Sequence, residues 1–248
     1  LMNRQDRAVP LAVGAAIPQL AQAVDRIVAS LQDGGRLMFL GAGTSGRLGV
    51  LEAAECPPTF NTPPGLIQAL MAGGPDAVFA SKEGAEDDAG AARRAVRQRA
   101  RPGDVVVGIA ASGVTPFVRG GLEAAHARGA CTILVTCHAG LPKPSAVELL
   151  IAVALPPELI AGSTRLKAGT ATKLLLNMLT VASMVRLGKV YDQWMVDLRP
   201  TSRKLRARAL RIIATVASVS APRAAAALRR AGGQVKPAIV IAALRVDA

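Results

Sequence analysis

Five short apolar runs punctuate the first two thirds of the chain: RLMFLG (36–41), GLIQALMAGG (65–74), DVVVGIA (104–110), CTILVTC (131–137) and LLIAVAL (149–155). Each is rich in β-branched and aliphatic residues and bounded by glycine or turn residues, which reads as a strand buried on both faces. Between them lie segments with helical spacing at 46–55, 86–100 and 115–127. Strands alternating with helices predict an α/β fold with a doubly wound parallel sheet, whose ligands sit at the carboxyl ends of the strands. At 248 residues and 51% hydrophobic content the chain is long enough to bury such a core.

Beyond Thr164 a nearly uniform apolar stretch, 168–187, predicts a long core helix running through a subunit interface. From Ser202 the composition turns to Ala and Arg with helical periodicity, interrupted near Pro222 and at Gly232–Gly233, which predicts a small helical appendage of about three helices. The expected division is a ligand-binding and catalytic domain over 1–200 and a helical region over 201–248. The net charge of +13 is densest in RKLRARALR (203–211), where basic residues alternate with Leu and Ala as on a solvated helix face. With aromatics at 2% there is little on which to stack bases, so no nucleic-acid partner is expected. Cys56, Cys131 and Cys137 form no C-x-x-C pair, which predicts neither a disulfide framework nor a metal site. The apolar runs are broken by charge, glycine or proline and no signal segment opens the chain, so no membrane partner is expected and the protein is placed in the cytoplasm.

The first run leads into GAGTSGRLG (41–49), where Gly41, Gly43 and Gly46 satisfy G-x-G-x-x-G. A dinucleotide site also needs an acidic residue roughly 20 positions on to hold the ribose. The next strand ends instead in Gly73 and Gly74. What the loop offers is Thr44 and Ser45 beside backbone N–H groups at a helix start, a device for one phosphate or for sugar hydroxyls. The third run repeats it, with Ser112, Gly113 and Thr115 ahead of Pro116, a residue suited to the first helical turn. A further polar cluster, GSTRLKAGT (162–170), adds Ser163, Thr164, Arg165 and Lys167. Singly each is an N-cap; together they describe a phosphosugar pocket with cationic help.

The segments GAGTSGRLGVLEAAECPPTF (41–60), EGAEDDAG (83–90), DVVVGIAASGVTPFV (104–118), GSTRLKAGTATKLLLNML (162–179) and GKVYDQWMVDLRPTSRKL (188–205) resemble, in order, the signature blocks of bacterial N-acetylmuramic acid 6-phosphate etherases. The resemblance implies a sugar isomerase (SIS) type fold, no metal, no redox cofactor, a homodimer, and lyase cleavage of a lactyl ether to N-acetylglucosamine 6-phosphate and D-lactate. It also implies that the two acids of the chemistry are Glu55 and Glu86. Val114 departs from the arginine usual in the family at that position. The chain also lacks the family's usual leading helical segment and stops at Asp247–Ala248, ahead of its usual last helix.

The lactate oxygen needs a proton as its bond to carbon breaks, while C2 of the open-chain sugar must lose one, so the reaction calls for one acid and one base. Pro57 and Pro58 disfavour helical geometry at Cys56, which predicts a helix ending near Glu55, whose negative end suits a proton donor. Glu86, after Gly84, is expected to open a long helix, whose positive end suits a carboxylate base. Glu52 is expected on the helix face of Glu55, and Glu83, Asp87 and Asp88 as first-turn charges. His126, His138, Trp194 and Met195 are read as structural. Two other functions fit the hydroxyl loops: a phosphosugar sensor, which does not need the glutamates, and an aldose–ketose isomerase, which needs a base but no acid for a departing ether.

Overall fold

The structure is a computed structural model that describes residues 1–198, 200 and 202–244; Arg199, Thr201 and the last four residues, including Asp247 and Ala248, lie outside the described residues. The chain packs as two compact units, one of Leu1–Ala54 with Pro64–Ser183, the other of Glu55–Pro63 with Met184–Ala248.

The first unit is built on a five-stranded parallel sheet. Strands β1 (Leu37–Gly41), β2 (Ile67–Met71), β3 (Val105–Ile109), β4 (Cys131–Thr136) and β5 (Leu149–Ala152) coincide with the five apolar runs. Their order is β2-β1-β3-β4-β5, with Leu37 paired to Ile67 on one side and Val105 on the other. All five residues of β1 and of β3 are buried, as expected where helices cover both faces. On one face Met38, Leu40, Val106 and Leu134 pack with Val96 of α5 (Ala89–Arg99) and with Val118 and Leu122 of α6 (Pro116–Ala127). The approach of α6 is close: a Cβ on Gly121 would lie 2.1 Å from Leu40 Cδ2, so a larger residue there would force the buried Leu40 side chain to shift. Against the other face lies α4 (Gly43–Phe60), whose Gly49 sits over Phe39 and Ile109. The chain leaves β1 outward to β2 and returns across it to β3, so the ends of β1 and β3 form the switch point where such sheets bind ligands.

Helix α7 (Lys167–Arg186) is the long apolar helix expected from residue 168. By length and composition it is the one helix among the described residues able to cross a membrane, which the sequence reading of interrupted runs did not anticipate. Leu175, Leu176 and Leu179 are nevertheless fully buried in the protein, as in a core helix. Three helices precede the sheet and were not foreseen: α1 (Met2–Asp6), α2 (Ala8–Gly14) and α3 (Ile17–Gln32).

The second unit contains a short hairpin, β6 (Val190–Tyr191) with β7 (Trp194–Met195), and helices α8 (Arg203–Val216), α9 (Ala221–Arg230) and α10 (Val235–Leu244). The breaks fall beside Pro222 and at Gly232–Gly233, as the sequence indicates. Ile212, Ile213, Leu228, Val235 and Ile241 form the centre of its core, joined by Val196 and Leu198.

Candidate active site

Strand β1 passes directly into α4, and two glycines make that possible: a Cβ on Gly46 would stand 2.7 Å from the Gly41 carbonyl oxygen. Thr44 and Ser45, both half-buried, therefore lie in the first turn of α4, where backbone N–H groups have no partner within the helix. After β3, Ser112 Oγ accepts a hydrogen bond from Val114 N at 3.3 Å, and Gly113 takes a left-handed φ of 75°. Thr115 is the N-cap of α6, but its hydroxyl makes no capping bond, and the Val114 side chain is exposed. The first turn of α7 approaches Thr44, since a Cβ on Gly169 would lie 3.7 Å from Thr44 Cγ2. Ser163 is half-buried and Thr164 exposed. The three hydroxyl-bearing loops thus follow the carboxyl ends of strands of one sheet.

Lys167 does not join them. It is 1% exposed, and its ammonium donates to the Pro157 carbonyl at 2.5 Å and to Gln5 Oε1 at 2.9 Å. The cation expected to help a phosphate is instead enclosed, because it is the first residue of a helix whose start is already clamped by Glu158. The Glu158 carboxylate accepts from Lys167 N at 3.0 Å and Ala168 N at 2.9 Å. Nearby, burial pushes the Cys137 thiol up to about 11, which removes it as a nucleophile at neutral pH.

A cavity of about 370 Å³ opens at the ends of β1 and β2, and Gly43, Arg47, Ser81, Lys82, Glu83 and Glu86 are on its wall. Glu86 reaches it from a single 3-10 turn, Ala85–Asp87, after Gly84. It does not open the following helix: α5 begins at Ala89, with Asp88 as N-cap accepting from Ala91 N at 2.7 Å. A side chain that can cap outcompetes one that cannot at the same approach to a helix. Asp88 thus has the helix-end role expected of it, and the dipole argument for Glu86 loses its basis. Arg47 and Lys82 were missed as site residues. Arg47 donates from Nε to the Val78 carbonyl and from Nη2 to the Ala77 carbonyl, both at 2.8 Å, and so ties down the loop leading to Glu86. Lys82 donates to the Gly73 carbonyl at 2.9 Å and meets Asp76 Oδ2 at 3.3 Å.

Glu55 is exposed and falls in the second unit. Here too the expected helix end is displaced, because α4 continues through Pro57 and Pro58 to Phe60. The prolines leave the carbonyls of Ala53 and Ala54 without their i+4 donors but do not stop the helix, so Glu55 stands before its last turn rather than at its end. Glu52 is a structural acid: it is buried and accepts from Thr180 Oγ1 at 2.7 Å and from Asn177 Nδ2, joining α4 to α7. His138 Nδ1 lies 3.3 Å from the Ser112 carbonyl oxygen, bracing the second loop. No group of His, Cys, Asp and Glu among the described residues is arranged to hold a metal.

An N-acetylmuramic acid 6-phosphate etherase of Symbiobacterium thermophilum is 50% identical over 240 residues, covering 97% of this chain and 80% of its own. The chain belongs to the N-acetylmuramic acid 6-phosphate etherase family. N-acetylmuramic acid 6-phosphate etherase 2 of Vibrio cholerae is 51% identical over 241 residues, covering 97% of this chain and 78% of its own. Residues 19–126 match the glucokinase regulatory protein N-terminal SIS domain. Among solved structures, the phosphoheptose isomerase GmhA from Neisseria gonorrhoeae superposes with a TM-score of 0.55 at 20% identity, over 73% of this chain and 93% of its own. That likeness is one of fold, and it confirms the SIS-type sheet that the etherase blocks implied.

Proposed function

We infer that this etherase-family chain is a carbon–oxygen lyase that releases D-lactate from N-acetylmuramic acid 6-phosphate and leaves N-acetylglucosamine 6-phosphate. Glu86 takes the proton from C2 of the open-chain sugar, the C3–O bond breaks with its electron pair going to the lactate oxygen, and Glu55 supplies that oxygen with a proton. Water then adds at C3, giving one proton to the Glu55 carboxylate, while protonated Glu86 returns a proton to C2, so both acids end in their starting states. The observation that carries the base assignment is the place of Glu86 on the wall of a cavity at the carboxyl ends of β1 and β2. Thr44, Ser45, Ser112, Gly113, Thr115, Ser163 and Thr164 receive the sugar phosphate, supported by their position on loops at that end of the sheet. The enzyme acts in the cytoplasm as a homodimer and needs neither metal nor redox cofactor.

Purified protein incubated with N-acetylmuramic acid 6-phosphate in deuterated water tests the reading. Wild type is expected to release D-lactate and to carry deuterium at C2. Glu86→Gln should lose both by about 100-fold or more, while Glu55→Gln should keep C2 exchange and lose lactate release. Lactate release at the normal rate from Glu55→Gln would remove the donor role. An absence of lactate from wild type, with the sugar phosphate still raising the melting temperature, would make the chain a sensor.

A further inference from the structure

We propose that Lys82 binds the carboxylate of the lactyl group and thereby distinguishes the ether substrate from the sugar phosphate left after cleavage. This rests on the lyase reading and on Glu86 as its base. The substrate carries two anionic groups, the phosphate on C6 and the carboxylate of the lactyl arm. Only C3, the ether oxygen and one lactyl carbon separate C2 from that carboxylate, so a base reaching C2 has the second anion beside it. The cavity wall already holds two carboxylates, Glu83 and Glu86. A further anion drawn into it from water needs a cation that can exchange a solvent-exposed partner for it.

Two cations line this cavity, Arg47 and Lys82, and their commitments differ. Arg47 spends Nε and Nη2 on the carbonyls of Val78 and Ala77. Lys82 has an ammonium with three donors, of which one reaches the Gly73 carbonyl and another the carboxylate of Asp76. Asp76 is 87% exposed and Lys82 44% exposed, so their ion pair stands largely in water and yields readily to a carboxylate held in place by the rest of a ligand. The lysine stem is not loose: its Cδ lies 3.1 Å from where a Cβ on Gly73 would be, so the absent side chain at Gly73 gives the stem its track to the cavity. Lys82 also stands four residues before Glu86 in the same loop, so one segment brings the base to C2 and the cation to the departing arm. As the C3–O bond breaks, the lactate oxygen gains the electron pair, and an ammonium beside the arm favours that charge as well.

The test compares the KM for N-acetylmuramic acid 6-phosphate, read by D-lactate release, with the inhibition constant of N-acetylglucosamine 6-phosphate, which lacks the arm. Lys82→Met is expected to raise the first by about 10–100-fold and to move the second by less than about twofold. Lys82→Arg should recover most of the loss, and Asp76→Asn, which removes only the competing carboxylate, should leave both constants in place or lower the first. An equal rise in both constants would assign Lys82 to the phosphate or to loop integrity, and no change in either would remove it from the site; each overturns the proposal. So would Asp76→Asn behaving like Lys82→Met. A wild type that releases no lactate defeats the lyase reading itself, whereas an active wild type with an unselective Lys82→Met defeats only this inference.

Discussion

Asp104 stands at the start of β3 with 2% of its surface exposed, and donors converge on it from both neighbouring segments. Arg36 contributes its backbone N at 3.0 Å, Nε at 3.2 Å and Nη2 at 2.6 Å, and Arg101 N adds a fourth bond at 2.9 Å. The side-chain hydrogen bond to Asp104 raises the Arg36 guanidinium above its already high range, so the arginine stays a cation at any working pH. It ties the starts of β1 and β3 together at the sheet end opposite the cavity. Asp104→Ala strands a partly buried guanidinium and is expected to cost about 3 kcal/mol in urea unfolding, with KM unchanged in the protein that remains folded. At this scale the sequence marked two segments that line the cavity, at Gly43 and at Glu86, and was silent where a side chain is recruited from elsewhere in the fold. Lys167 looks like a phosphate ligand in GSTRLK, yet only the coordinates reveal that Gln5 and Pro157 occupy it. Lys82 lies in SKEGAED among charges that read as solvated, and nothing local shows that Gly73 and Asp76 hold it.

The strands were the most legible elements, because burial on both faces leaves an uninterrupted apolar run that no helix of the same length shares with flanking glycines. Helix ends were less so. The pair Pro57–Pro58 reads as a stop, but a helix loses only two donors to it and continues to Phe60. Helices α1 to α3 start without any side-chain capping bond, so the usual signal for a beginning is missing there. The burial of Leu20, Ala23, Val24, Ile27 and Val28 on α3 follows helical periodicity and was available to be read. At α5 the cap decides the geometry of the site, since fixing the helix start at Asp88 also fixes the turn that presents Glu86. Asp88→Ala is expected to cost about 1 kcal/mol of stability and to lower lactate release more than any distant substitution of equal cost. Asp88→Asn, which can still accept from Ala91 N, should restore stability and most of the activity, as denaturation and rate measured on the same preparations would reveal.

For the molecule as a whole, the homodimer proposal makes a demand on the surface of the first unit. Helices α4 and α7 are locked to each other by buried polar contacts, Glu52 with Thr180 and Asn177, and Asn177 in turn accepts from Lys173. The residues next in sequence to this joint are apolar and turned outward: Leu51 is 42% exposed and Val181 43% exposed. Two large aliphatic side chains beside a rigid polar joint are what a self-complementary interface needs, since neither helix must repack when a second copy covers them. Light scattering is expected to return twice the 25.4 kDa of one chain. Charged side chains at both positions, Leu51→Arg with Val181→Arg, should return the mass of one chain while leaving the fold intact, because exposed substitutions usually move stability by less than about 0.5 kcal/mol. Should the doubly substituted protein remain a dimer, this face is not the interface; should the wild type scatter as a single chain, the dimer itself is excluded. If pocket residues must come from the second copy, the arginine variant loses lactate release with its partner, and activity that falls with dilution in the wild type would report the same dependence.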